Sequence, residues 1–127
     1  MADTDWRYVT NLTGLTELRL SDNEAHEQSY SNLAAFKNLE KLLLARTSIA
    51  DKTLTTIAQL HSLKELGLAC CAVSDRGLPA LTSCSKLQIL DLGQTNVGDA
   101  GAVSLSSMPL FEIDFTRTRI TDKGVQA

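Results

Sequence analysis

The sequence predicts an α/β solenoid, a right-handed horseshoe segment with a parallel β-sheet on its concave side and short helices on its convex side. Two observations predict this fold. Apolar residues, most of them leucine, return at a regular interval of about 24 residues along the chain. Within each return their spacing changes from that of a strand to that of a helix. Such a repeat indicates stacked supersecondary units, because no single unit can bury its own apolar side.

The repeated unit begins with the spacing Leu-x-x-Leu-x-Leu. Its last two leucines are separated by one residue, so both point to the same side of a short strand. Four copies follow one another at the same interval, and the last copy follows slightly sooner, with Ile and Phe in place of two leucines. We predict strands over residues 17–19, 41–43, 65–67, 89–91 and 112–114, joined by right-handed connections.

The second half of the unit carries an acid and then apolar residues at helical spacing, which predicts helices around 30–36, 54–60, 77–84 and 101–107. An acid before a helix can accept free N–H groups and complement the positive end of the helix dipole. We therefore expect the acids to cap these helices, and glycines two residues further on to permit close packing. The acids are Glu27, Asp51, Asp75, Asp99 and Asp122, and the glycines are Gly77, Gly101 and Gly124.

The complete pattern resembles the leucine-rich repeat family, whose signature reads L-x-x-L-x-L-x-x-N/C-x-L. It is most similar to the cysteine-containing, ribonuclease-inhibitor-like subclass, because Cys71 and Cys84 occupy that subclass's cysteine positions and residues 120–125 match its I-T-D-x-G-L tail. Two features depart from the subclass: the period is shorter than its usual ~26 residues, and Thr replaces Cys or Asn in three copies. The resemblance covers residues 6–127 and implies a single domain over 1–127, with about five repeats of ~24 residues.

Both ends of the sequence fall inside a repeat. Trp6, Val9 and Leu12 align with the helical half of a unit, and Val125 aligns with the start of the next helical half. Solenoids ordinarily need capping units at their ends. We therefore expect either a fragment of a longer array or end-to-end self-association through the uncapped C-terminal repeat.

Members of the leucine-rich repeat family usually bind partners with the strand residues that face away from the core. The resemblance therefore implies a non-enzymatic protein–protein interaction module. Mixed charges and a net charge of −3 favour a protein partner over a nucleic acid, which needs a basic stripe. Two alternatives remain open: solvated charges without a role, or binding through the convex side. The candidate partner-binding residues are Arg19, Lys41, Arg46, Glu65, Asp91, Glu112, Asp114 and Arg117.

No sequence motif indicates an enzyme. Nucleophile elbows, phosphate loops, zinc-binding helices and dinucleotide turns are missing, so we expect no catalytic, cofactor-binding or metal-ligating residues. The adjacent Cys70 and Cys71 lack the spacing of metal ligands, and Cys71 is expected to be buried. No apolar run is long enough to span a membrane.

The cysteines and the first residues bear on location. An odd count of three cysteines and a start without a secretory signal predict an intracellular, cytoplasmic protein. Cysteine-containing repeats also resemble the substrate-receptor part of ubiquitin ligases. The chain is therefore alternatively a substrate-recognition segment of a larger ubiquitin-ligase-type or other regulatory enzyme assembly.

Overall fold

A computed structural model describes residues 6–125 of the chain. Its five strands form one parallel sheet in sequence order, and their bounds confirm the predicted ones. The strands are β1 (Glu17–Arg19), β2 (Lys41–Leu43), β3 (Glu65–Gly67), β4 (Ile89–Asp91) and β5 (Glu112–Asp114).

The period of the repeat sets the register of the sheet. Leu42, Leu66 and Leu90 lie beside one another on consecutive strands, and each is fully buried. The next leucine of each unit is buried as well, so the core is a continuous aliphatic layer behind the sheet. Burying one such side chain contributes about 1.5–3 kcal/mol, and the stack repeats that contribution in every layer.

Short helical segments return the chain from one strand to the next. Each predicted helix is found near its expected place, but the type and the bounds differ, because segments this short take their conformation from packing more than from intrinsic propensity. Two of the segments are 3₁₀ helices. In chain order the segments are α1 (Trp6–Val9), a 3₁₀ helix (Glu27–Ala35), α2 (Thr53–Ile57), a 3₁₀ helix (Leu78–Ser83), α3 (Asp99–Ser104) and α4 (Asp122–Val125).

The first half-unit fits its predicted alignment at only two of three positions. Trp6 is buried and packs edge-on against Tyr30, with 5.8 Å between ring centroids. Val9 is partly buried against the core. Leu12 is 55% exposed, so its expected place in the apolar stripe is wrong. The helix ends at Val9, and Leu12 lies in the turn that follows.

Three of the recurrent acids, Glu27, Asp99 and Asp122, lie in the first turn of their helical segments, as expected. The expectation that the carboxylates cap the helices of their own repeats was wrong for Asp51, Asp75 and Asp99, which bond to the next repeat. The Asp51 carboxylate accepts hydrogen bonds from the backbone N–H and the hydroxyl of Ser74 at 2.8 and 2.5 Å. Asp75 accepts from the N–H of Gly98 at 2.7 Å, one repeat further on. Because adjacent repeats stack closely, each carboxylate reaches a backbone donor of the next layer that would otherwise be unsatisfied. The aspartates therefore link successive repeats.

Small side chains complete the packing inside the turns, and Cys71 is buried as predicted. Cys71 is 5% exposed, and its thiol donates to the carbonyl oxygen of Leu44 at 3.1 Å. Thr95 is equally buried and donates to the carbonyl oxygen of Leu92 at 2.7 Å. Both side chains satisfy backbone groups in the interior.

Candidate partner-binding surface

Two residues of every strand face away from the core, and we call this set the concave face. The parallel register places each of them beside its counterpart in the next repeat, so that they form two columns. Adjacent strands are about 4.8 Å apart, so neighbours within a column are close enough to interact. The columns are Glu17, Lys41, Glu65, Ile89, Glu112 and Arg19, Leu43, Gly67, Asp91, Asp114.

The N-terminal part of the concave face neutralises its own charges. Arg19 forms an ion pair with Glu17 on the same strand. Lys41 Nζ lies 3.2 Å from Glu65 Oε2 on the next strand, and both side chains are about one third exposed. Two of the predicted binding residues, Arg19 and Lys41, are therefore engaged within the chain.

In all five repeats, one residue in the turn that follows the strand has a left-handed backbone conformation. These residues carry φ values between 55° and 62° although none is glycine, a conformation that L-residues rarely adopt. The sequence contains no signal for it, because glycine is missing from the whole column. The five residues are Asp22, Arg46, Cys70, Gln94 and Arg117.

The two arginines of that column, both predicted binding residues, have different surroundings. Arg46 binds both carboxylate oxygens of Asp22 in the preceding repeat, with Nη2 to Oδ2 at 2.8 Å. The hydrogen bond from Arg46 lowers the pKa of the Asp22 carboxyl group below its usual 3.8. Arg117 is exposed, and no ion pair within residues 6–125 includes it. Arg117 is thus the rim arginine that is available to a ligand.

The C-terminal part of the concave face carries acids that no cation of residues 6–125 neutralises. Asp91 and Asp114 are register partners on β4 and β5. Asp91 accepts the N–H of Gly93 through Oδ1 at 2.9 Å, and Asp114 accepts the N–H of Thr116 through Oδ1 at 2.7 Å. Hydrogen bonds from Thr116 lower the pKa of Asp114, so this carboxylate is ionised at neutral pH. Glu112 lies beside them on β5 and is exposed.

These acids surround a shallow depression of about 190 Å³ that spans β3 to β5. Leu43, Gly67 and Ile89 contribute apolar surface to it. A Cβ atom on Gly67 would lie 3.0 Å from Leu43 Cδ2, so the glycine helps to keep the surface open. The acidic lining consists of Glu65, Asp91, Glu112 and Asp114. Four of the eight predicted binding residues are thus brought together at one place.

The remaining sequence candidates lie elsewhere. Cys70 is partly exposed, whereas Cys71 and Cys84 are buried, and all three thiols are free. Burial raises the pKa of Cys84 to about 11. Within residues 6–125, no group of three or more His, Cys, Asp or Glu side chains is placed to hold a metal ion. In the same range, no helix has both the length and the apolar character that crossing a membrane requires.

Solved structures that share this fold come from several leucine-rich-repeat proteins. An internalin (inlF) from Listeria monocytogenes is 24% identical with a TM-score of 0.73, over 91% of this chain and 32% of the internalin. Internalin C2 of the same organism is 27% identical with a TM-score of 0.73, over 85% of this chain and 45% of the internalin. The chain therefore spans one third to one half of the internalins it matches.

Two further comparisons concern sequence. A search of curated protein sequences gives no significant match. The profile of a family described as "FBD-associated F-box protein At5g56370, LRR repeats" matches residues 4–125, nearly the whole chain. That description does not specify the ribonuclease-inhibitor-like subclass, which stays a prediction. The leucine-rich-repeat fold is typical of domains that bind other proteins, and such domains are generally not enzymes. With its five-stranded parallel sheet and this match, the chain belongs to the leucine-rich repeat family of FBD-associated F-box proteins.

Proposed function

We propose that the chain is a non-enzymatic interaction module that binds a protein partner on its concave face. The observation that carries the proposal is the depression over β3 to β5, where Asp91, Glu112 and Asp114 lie on exposed or half-exposed strand positions without ion-pair partners within residues 6–125. Charged groups that no ion pair within the described residues neutralises are available to a ligand. The convex helices offer a poorer surface, because outward residues such as Thr55 and Thr82 are short and bond to backbone carbonyls of their own turns.

An extended ligand suits this surface. The sheet repeats its side-chain columns at intervals of about 4.8 Å, so one extended segment can contact three or four successive repeats. Among the solved solenoids with the same fold is a plant peptide hormone receptor, RGFR1, in complex with RGF2, with a TM-score of 0.59 and 20% identity. That complex supports the idea that a solenoid of this kind serves as a platform for a peptide.

The test is a selection of displayed random peptides on the full chain, followed by fluorescence anisotropy with the selected peptides. One variant fills the concave face (Ile89→Trp with Glu112→Trp), and a matched variant fills the convex face (Thr55→Trp with Thr82→Trp). We expect the concave pair to weaken binding at least about tenfold and the convex pair to change it less than about twofold. The reverse pattern would move the binding surface to the helices and contradict the proposal.

A second function is supported by the F-box description of the family. The repeats would be the substrate-recognition segment of a larger ubiquitin-ligase-type assembly, and the protein bound on the concave face would be the substrate. The full-length transcript tests this directly. An F-box-like or RING-like segment in the same reading frame would support it, and a parent protein without such a segment would contradict it.

We also propose end-to-end association through the C-terminal repeat. Leu105, Met108, Leu110, Ile113 and Phe115 line an apolar depression of about 420 Å³ at this end. Val125 also lines it and is 74% exposed. Sedimentation of the full chain across a concentration series tests the proposal. An apparent mass that rises with concentration supports it, and a constant monomer mass contradicts it.

An intracellular, cytoplasmic location is the third part of the proposal. Its support is the set of three free thiols, two of them buried in the core. Imaging of the tagged full-length protein in its source cells tests it, and secretion into the medium would contradict it.

A further inference from the structure

The charges of the concave face are distributed unevenly between its two ends. Around β1 and β2, each cation has an acid as partner: Arg19 with Glu17, Lys41 with Glu65, and Arg46 with Asp22 at the adjoining turn. Around β4 and β5, three acids face the same surface (Asp91, Glu112 and Asp114), and none takes part in an ion pair within residues 6–125. The unpaired Arg117 at the turn after β5 offsets only one of these three charges. The face is therefore neutral at one end and anionic at the other.

The anionic end also places like charges side by side. Asp91 and Asp114 are direct register partners on adjacent parallel strands, about 4.8 Å apart. Like charges directly opposite one another destabilise a sheet by roughly 0.2–1 kcal/mol, whereas the Lys41–Glu65 position of the same sheet has opposite charges. A ligand cation at Asp91 and Asp114 would remove this repulsion. Binding of a cation is thus favoured both by its own attraction to the acids and by the relief of repulsion within the sheet.

The geometry leaves acceptor positions on both carboxylates available, because a carboxylate can accept about four hydrogen bonds. Both aspartates use Oδ1 for a backbone N–H two residues further on. This bond orients each carboxylate. Oδ2 of Asp91 has no hydrogen-bond partner within residues 6–125, whereas the Asp114 carboxylate also accepts a hydrogen bond from the Thr116 side chain. Two pre-oriented carboxylate oxygens on neighbouring strands suit the forked donors of a guanidinium group or the three donors of an ammonium group.

The surface between the acids is apolar rather than polar. Ile89 lies between Glu65 and Glu112 in its column, and Leu43 and Gly67 adjoin it. The hydrocarbon stem of a lysine or arginine packs well on such a surface while its charged end reaches the carboxylates. A small inorganic cation would gain nothing from this apolar floor.

We propose that the concave face over β3 to β5 binds an extended protein segment that carries lysine or arginine side chains flanked by apolar residues. The inference rests on the proposed function and names the chemical class of the partner. Charge complementarity makes the contact specific and accelerates association, and it makes the affinity fall as salt is added. An acidic segment is disfavoured by repulsion from the three unpaired carboxylates of Asp91, Glu112 and Asp114.

The test uses three synthetic fluorescent peptides of equal length, in which apolar residues alternate with lysine, with glutamate or with serine. Anisotropy is measured with the full chain and with the double variant Asp91→Asn, Asp114→Asn. Asparagine keeps a carbonyl oxygen that can accept the N–H of Gly93 or Thr116, so the turn geometry is retained. The matched control is Glu17→Gln with Asp22→Asn, which removes the same charge from the neutral end.

We expect the lysine peptide to bind and the glutamate peptide not to bind. The Asp91→Asn, Asp114→Asn variant should bind the lysine peptide at least about tenfold more weakly, and the control variant should change binding less than about threefold. Equal losses in both variants, or equal binding of all three peptides, would overturn the inference. If the displayed-peptide selection yields segments without basic residues that the Ile89→Trp, Glu112→Trp variant no longer binds, the inference fails while the proposed function stands.

Discussion

The link between successive repeats can be tested at Gly77. This residue is buried at the start of the 3₁₀ helix Leu78–Ser83 and has φ −85° and ψ −29°, which alanine adopts without strain. A Cβ atom added there would lie 2.6 Å from Asp51 Oδ1, 2.7 Å from Leu54 Cδ1 and 3.1 Å from Asp51 Cα. The first two distances are shorter than any normal contact, so the Asp51 and Leu54 side chains of the preceding repeat have to shift.

The cost of Gly77→Ala follows from what the movement breaks. Overpacking of this kind costs about 1–3 kcal/mol. A shift of Asp51 also strains its two hydrogen bonds to Ser74, and bonds to a charged group contribute about 1.5–3 kcal/mol. Against these losses, alanine gains up to about 1 kcal/mol through lower backbone entropy in the unfolded chain. We expect a net destabilisation of about 2 kcal/mol.

Urea unfolding followed by circular dichroism measures the effect. Gly14→Ala is the matched control, because a Cβ atom at Gly14 meets nothing within 4 Å, and its free energy of unfolding should change by less than about 1 kcal/mol. In the Asp51→Ala background, the cost of Gly77→Ala should fall by about 1 kcal/mol or more, because the carboxylate is gone. If Gly77→Ala is as stable as the unchanged chain, the close contact between repeats that we describe is wrong.

Three further predictions concern the interior and the acids. Cys71→Asp should lower the free energy of unfolding by about 2 kcal/mol or more, because it buries an unpaired charge; urea unfolding measures this. A thiol reagent followed by mass spectrometry should label Cys70 within the native chain and Cys71 and Cys84 only on unfolding, and rapid labelling of Cys71 would refute its burial. Hydrogen bonds lower the pKa of Asp99 and Asp114 in the folded chain, so the ionised carboxylates stabilise the fold fully above the unfolded value of 3.8, and this stabilisation is lost as pH falls below it. Melting temperatures across a pH series should therefore decrease below about pH 3.8, and Asp99→Asn should make this decrease smaller.

The strands were predictable because two periods in the sequence act together. The long period of the repeat sets which residues become neighbours, and the period of two sets which of them face the core. The two periods together therefore fix both the neighbours of Leu42, Leu66 and Leu90 in the sheet and the side of the sheet to which they point. The same alignment places Lys41 and Glu65 in one column on adjacent strands, but the ion pair between them is seen only in the structure.

The convex side and the turns were less predictable, because contacts between layers decide them. The alignment marks Asp51 as recurrent but does not reveal that its carboxylate reaches Ser74 in the next repeat rather than its own helix. The left-handed backbone conformation of Arg46 and Arg117 could not be predicted from their residue type, since neither is glycine or asparagine. Among the eight candidate binding residues, the sequence alone could not separate Arg19 and Lys41, which are paired within the chain, from Asp91 and Asp114, which are not.

The concave-face assignment is tested most directly by the footprint of a bound peptide on the isotopically labelled chain. Amide chemical shifts are recorded before and after a selected peptide is added at saturation. The account predicts that the largest changes fall on β3, β4 and β5, at residues 65–67, 89–91 and 112–114, with small changes in α2 and α3. Largest changes in α2 and α3, with β3 to β5 unaffected, would place the ligand on the convex side and contradict the account.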